Sequence, residues 1–164
     1  MAHRPHLRRT SVCFVLSLLA VLLLSSAAVA QAPAGAGGLT GGCSGAYIVT
    51  TTADSGPGSL RQALSEVCAG GTITFNLPNP STITLTTGQL TIARQVTVLG
   101  PGADRLAISG NDAGRVIQVS GGISATLSGL TLRDGYDDDL GGAGILNEGN
   151  LTLRDCVVTD NTAT

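Results

Sequence analysis

A stretch that returns at a fixed spacing restricts a chain to stacked architectures. Residues 141–161, GGAGILNEGNLTLRDCVVTDN, fit over residues 115–135, RVIQVSGGISATLSGLTLRDG, with a shift of 26 positions. Ile145 falls on Val119, Leu151 on Ala125, Leu153 on Leu127, Val158 on Leu132 and Asp160 on Asp134. A period of 20–50 residues marks units that each bury an apolar side against the next. The local texture says what the unit is. TITF (72–75), TITL (82–85), QLTI (89–92), VTVL (96–99), LAI (106–108), VIQV (116–119) and two LTL runs (130–132, 151–153) alternate apolar residues with mostly Thr. Period-two patterning with β-branched outward residues is the mark of strands. Gly, Asn, Asp and Pro bound each run.

Several tiny strands per repeat predict coils of a right-handed parallel β-helix, a solenoid. Roughly three coils are expected over 72–164. Val96, Leu130 and Cys156 would share one inward column, and Val98, Leu132 and Val158 another. Asn111, Asn147 and Asn161 would stand at coil corners. One segment breaks the pattern: SLRQALSEV places Leu60, Ala63, Leu64 and Val67 on one helical face. Ser59 is its predicted N-cap and Gln62 the capping-box partner. Gly70-Gly71 would end it. A short helical cap over 59–69 would cover the first coil and hide a sheet edge. The competing fold, an antiparallel sandwich, predicts no repeat and wants hairpin signals that are scarce here.

Residues 1–30 read as a secretory signal peptide. MAHRPHLRR is basic, SVCFVLSLLAVLLL is apolar, and Ala28 and Ala30 stand in the A-x-A positions before Gln31. An uncleaved anchor is the rival reading, although the apolar run is short for a span of about 20 residues. Cleavage would leave no membrane span. Residues 31–46 then form a Gly/Ala-rich flexible leader, and 47–164 the β-helix domain. Residues 31–164 hold six Arg, eleven acids and neither Lys nor His, a net charge of −5. Phosphate backbones need basic clusters, so nucleic acid is an unsuitable partner. Without His, Ser-His and Cys-His nucleophilic catalysis are excluded for that stretch. An exported chain can keep disulfides. Cys43 and Cys68 flank the first structured segment and are paired on that ground, two free thiols being the alternative. Cys156 falls on Leu130 and reads as a small buried hydrophobe.

The stretch IVTTTADSGPGSLRQALSEV, with GTITFNLP and STITLTTGQLTIARQVTVLGPGADRLAISGN after it, resembles the N-terminal module of secreted bacterial right-handed parallel β-helix proteins of the CSLREA type. The Cys-Ser-Leu-Arg-Glu-Ala signature reads Gly58-Ser59-Leu60-Arg61-Gln62-Ala63 here, so its Cys and Glu are replaced. Residues 141–161 are similar to repeats of chlamydial polymorphic outer-membrane proteins, with GGAGI for GGAI and Val158-Thr159-Asp160-Asn161 for FxxN. The resemblance covers 47–164. It implies an exported, surface-attached, adhesin-like protein, mostly without catalysis.

Candidate chemistry is sparse. Asp134, Asp137, Asp138 and Asp139 offer hard oxygen ligands close together in sequence, a weak Ca²⁺ candidate. A solvated turn explains the same residues. No catalytic residue is assigned and no other cofactor is implied. A polysaccharide-cleaving enzyme is the alternative class; Arg133 beside the acids would be its base, or its catalytic residues would lie outside this chain. The expected partners are a surface glycan or protein ligand. Further coils, or self-association, would close the coil left open by DNTAT, where a truncated solenoid is expected.

Overall fold

The computed structural model describes residues 42–138 and 141–164. The signal-type segment with Ala28, Ala30 and Gln31, the leader up to residue 41, and Asp139 lie outside the described residues. In chain order the elements are β1 (Ser44–Val49), α1 (Leu60–Glu66), β2 (Val67–Phe75), β3 (Ser81–Thr84), β4 (Leu90–Ile92) and β5 (Val96–Leu99). They continue with β6 (Leu106–Ser109), β7 (Ile117–Val119), β8 (Ser124–Ser128), β9 (Thr131–Arg133) and β10 (Tyr136–Asp137). The last are β11 (Ile145–Asn147), β12 (Asn150–Arg154), β13 (Val157–Thr159) and β14 (Thr162–Ala163).

Every strand pairing is parallel, and the strands sort into faces. The first sheet runs β1-β2-β5-β8-β12, the second β13-β9-β6-β3, the third β11-β7-β4, with β10-β14 as a short fourth pair. This is a parallel β-solenoid of about five turns with one short helix.

The expectation of three coils was low because coil length varies. Ala107 pairs with Thr131 and Val96 with Ala125, and the second pairing spans the longer stretch of chain. Only the last two coils hold the shift seen in the sequence, as in Leu151 on Ala125 and Val158 on Leu132. Stacking matches strands and lets turns vary, so the earlier coils repeat in space without repeating in sequence. Even the last coil slips once: Ile145 stacks on Ile117, not on Val119. Glu148-Gly149 there replaces the longer turn Ser120–Ile123, and the sequence shift is restored at β12.

The core is a set of columns with different members from those expected. On the first sheet, Val96 stacks on Ala125 and Leu151, and Val98 on Leu127 and Leu153. Leu132 belongs to the second sheet, with Ile83, Ile108 and Val158. The two LTL runs therefore sit on different faces. Leu130 and Cys156 fill the corner between sheets, one above the other. Leu130 is fully buried, and Cys156 is half-buried.

The turn chemistry follows from the corners. After the first sheet, Gly129 (φ 62°) and its equivalent Asp155 (φ 50°) turn the chain; after the second, Asp134 and Asp160 do so at φ 52°. Asp and Asn tolerate this left-handed region better than other side chains. Gly100 is needed for close approach, since a Cβ there would sit 2.2 Å from the Gly129 carbonyl oxygen. The three Asn take different places. Asn111 (φ 59°) is a corner residue, Asn147 ends β11, and Asn161 fills a corner beside Gly135.

The start of the domain also shifts. β1 begins at Ser44, inside the stretch read as leader, and a disulfide joins Cys43 to Cys68. The helix stops at Glu66, short of the expected end, because Val67 and Cys68 are already in β2, Val67 buried in the core. Gly70 and Gly71 lie within that strand. Ser59 Oγ accepts from the Gln62 backbone N–H at 3.2 Å, as a cap should. The reciprocal half differs: Gln62 Oε1 accepts from the Gly58 N–H and from the Tyr47 hydroxyl, both at 2.8 Å. Leu60, Ala63 and Val67 enter the core, so the helical face is buried as its spacing predicts.

Candidate functional site

The described members of the acidic run, Asp134, Asp137 and Asp138, take different surroundings. Asp134 accepts from the Ser109 hydroxyl at 2.8 Å and pairs with Arg133 at 3.1 Å. That ion pair is solvent-exposed and contributes under about 1 kcal/mol. Asp137 is instead engaged by Arg115 Nη2 at 2.5 Å, with both side chains mostly buried. Asp138 is exposed. Among the described residues, no three His, Cys, Asp or Glu side chains come together as a metal-holding group.

Sequence reasoning missed the partner of Asp137. Arg115 also donates to the Gly141 and Gly142 carbonyls and to Gln89 Oε1. Gln89 bonds to Gln118, and Gln118 donates to Glu148 Oε2 at 2.9 Å. One polar side chain per coil thus bridges the outer side of the third sheet. The period-two pattern marks Gln118 as outward, but Gln89 and Gln118 lie 29 residues apart and Gln118 and Glu148 lie 30 apart, so the 26-residue shift does not pair them.

The second missed centre is Asp54. Its carboxylate takes Arg61 Nη2 at 2.6 Å and Nε at 3.1 Å. It also accepts from the backbone N–H groups and hydroxyls of Thr86 and Thr87. Burial raises its pKa, but the Thr87 hydroxyl, Arg61 and the Thr86 N–H outweigh that and hold it well below the ordinary carboxylate range. Arg61 in turn donates to the Gly88 and Gln89 carbonyls. Arg94 donates to the Ser65 and Val67 carbonyls at the other end of the helix. A shallow groove of about 340 Å³ lies between α1 and β4, lined by Arg61, Leu64, Gln89 and Arg94 among others. These groups hold loop 50–58 and α1 against the turn before β4, and satisfied carbonyl contacts leave them little chemistry to perform.

The most regular feature is on the outward side of the first sheet. Thr72, Thr97, Thr126 and Thr152 are in direct register on β2, β5, β8 and β12, and Ala46 of β1 stands beside Thr72 at the end of the row. Adjacent strands lie about 4.8 Å apart, so the hydroxyls recur at about that spacing. None of the four side chains is hydrogen-bonded to another described residue. Gln95, Ser124 and Asn150 flank the row on one side; Thr74, Leu99, Ser128 and Arg154 flank it on the other. The face has one charged residue, Arg154, although acids are abundant elsewhere. No helix among the described residues is long and apolar enough to cross a membrane.

No family model matches this chain, and neither a curated protein nor a solved structure is significantly similar to it.

Proposed function

We propose that this chain is an exported, non-catalytic solenoid scaffold that binds an extended, uncharged glycan on the outward face of its first sheet. The observation that carries this reading is the in-register row Thr72, Thr97, Thr126 and Thr152. Free hydroxyls pair with sugar hydroxyls, and the Thr methyls pack against the apolar sides of the rings. An acidic glycan would need several cationic partners, whereas this face has Arg154 alone among its described residues, and the net negative charge of residues 31–164 would repel it.

On this reading the fold is a right-handed β-helix, the hand that parallel crossovers take, and α1 is its N-terminal cap. Burial of Leu60, Ala63 and Val67 supports the cap. The CSLREA and polymorphic-outer-membrane-protein resemblances support export and a surface location. Gly58 marks a departure from the CSLREA signature. It has φ 80°, and a Cβ there would lie 2.4 Å from Thr50 Oγ1, so a Cys does not fit this backbone.

The alternative is a polysaccharide-cleaving enzyme whose catalytic residues lie outside this chain or in the acidic run. Glycoside hydrolysis needs two carboxylates across the sugar, and Asp137 is already committed to Arg115. The test incubates the full chain with neutral and acidic polysaccharides and reads bound protein together with new reducing ends and unsaturated products. Retention on neutral glycans without products is the expected result. Products that disappear in Asp137→Ala would overturn the non-catalytic reading.

A further inference from the structure

The outward side of the first sheet carries a chemical signal separate from the Thr row. Asn150-Leu151-Thr152 fits the Asn-x-Ser/Thr acceptor sequence for attachment of a sugar to an Asn amide. It is the only one in the chain. Asn79-Pro80-Ser81 has the forbidden Pro in the middle, and Asn76, Asn111, Asn147 and Asn161 have no hydroxyl two residues on.

The fold presents this sequence to solvent. β12 is extended, so Asn150 and Thr152 project to the same side while Leu151 turns inward. Both are exposed. That exposure belongs to the position in the sheet. Ser124, the register partner of Asn150 one coil earlier, is exposed although β12 is stacked on its strand. A coil stacked on β12 would likewise leave Asn150 outward.

The amide is also uncommitted. Asn150 makes no side-chain hydrogen bond to another described residue. The other two Asn of the last coil are engaged. Asn161 Oδ1 accepts from the Gly135 N–H at 2.8 Å, and its Nδ2 donates to the Leu132 and Thr159 carbonyls at 3.1 and 2.8 Å. Asn147 Oδ1 accepts from the Gly149 N–H at 3.2 Å.

We propose that Asn150 is an N-glycosylation site, modified during export from a lipid-pyrophosphate-linked oligosaccharide. The site rests on the export reading and not on the binding face. In the transfer, the Asn150 amide nitrogen bonds to the anomeric carbon of the donor sugar. The bond from that carbon to the pyrophosphate oxygen breaks, and the lipid pyrophosphate leaves with the electron pair. One amide proton passes to a base of the transferase. The Thr152 hydroxyl, on the same side as the amide, is the group the transferase reads. The attached oligosaccharide stands beside the Thr row at its Thr152 end.

The test expresses the full chain in a secreting host with an active oligosaccharyl transferase, beside an exported carrier with a proven acceptor sequence. Intact mass of the exported chain is the readout. A mass above that of the polypeptide by a whole oligosaccharide is expected. It is expected to vanish in Asn150→Gln and in Thr152→Val, and to persist in Thr152→Ser, which keeps the hydroxyl. Circular dichroism checks that each variant folds. An exported parent chain at bare polypeptide mass, with the carrier modified, would overturn the proposal and leave the export reading standing. A parent chain retained inside the cell would overturn both. An oligosaccharide that survives Asn150→Gln would also overturn the assignment.

Discussion

Asp54 Oδ1 lies 2.6 Å from Arg61 Nη2, while its other oxygen accepts from Thr86 and Thr87. One carboxylate thus joins the loop after β1, the helix and the turn before β4. The side chain of Asp54 is only 7% exposed, so its loss strands a guanidinium and two backbone donors. Asp54→Ala is expected to destabilise the fold by about 3 kcal/mol, the scale of a broken buried ion pair. Urea unfolding measures it, and Asp104→Ala at an exposed turn is the control, with a change below about 0.5 kcal/mol.

The same carboxylate sets an acid dependence. Its folded pKa is depressed below the ordinary value of 3.8. The unfolded chain therefore binds the proton first, and the stabilisation is complete above that value and declines as pH falls through it and below. Parent chain and Asp54→Asn are expected to converge in stability as the pH drops from 6 toward 2. Parallel curves across that range would show that Asp54 is not the group responsible.

Gly58 illustrates how much of the helix start was legible. The sequence located the helix by its apolar spacing and Ser59 by its cap chemistry. It did not show that position 58 needs φ 80° and has Thr50 Oγ1 against it, because both follow from a contact formed only in the folded loop. Gly58→Ala is expected to cost about 2 kcal/mol through backbone strain and overlap. Combining it with Thr50→Ala should recover the overlap but not the strain, a coupling that a double-mutant cycle reads directly.

The columns show the same division. Alternation marked Val98 and Leu132 as inward, and both are buried. It could not say which inward residues meet, since unequal coil lengths hide the register. Leu127, stacked between Val98 and Leu153, is the better probe. Leu127→Ala is expected to cost about 3 kcal/mol by leaving a cavity, and Leu99→Ala, outward on the same sheet, under about 1 kcal/mol. Asp134 and Asp137 show the limit for sites: close in sequence, they take different partners because Arg115 arrives from the previous coil.

The Cys43–Cys68 disulfide ties β1 to β2 across a sequence separation of 25. In the chain-entropy description, closing a loop of that size contributes about 3 kcal/mol. Cys68→Ser is expected to lower stability by that amount and leave the last coils' hydrogen exchange slow relative to β1. Uniform loss of protection from β1 to β9 would instead show one cooperative unit.

The central claim is that the Thr row of the first sheet is the binding face. A depletion isotherm on insoluble neutral polysaccharide tests it most directly, comparing the full chain with a Thr97→Glu, Thr126→Glu double variant whose folding is checked by circular dichroism. The parent chain is expected to bind and the folded variant to lose at least about tenfold in affinity, or about 1.4 kcal/mol. Unchanged binding by the folded variant, or no binding by the parent chain, would contradict it.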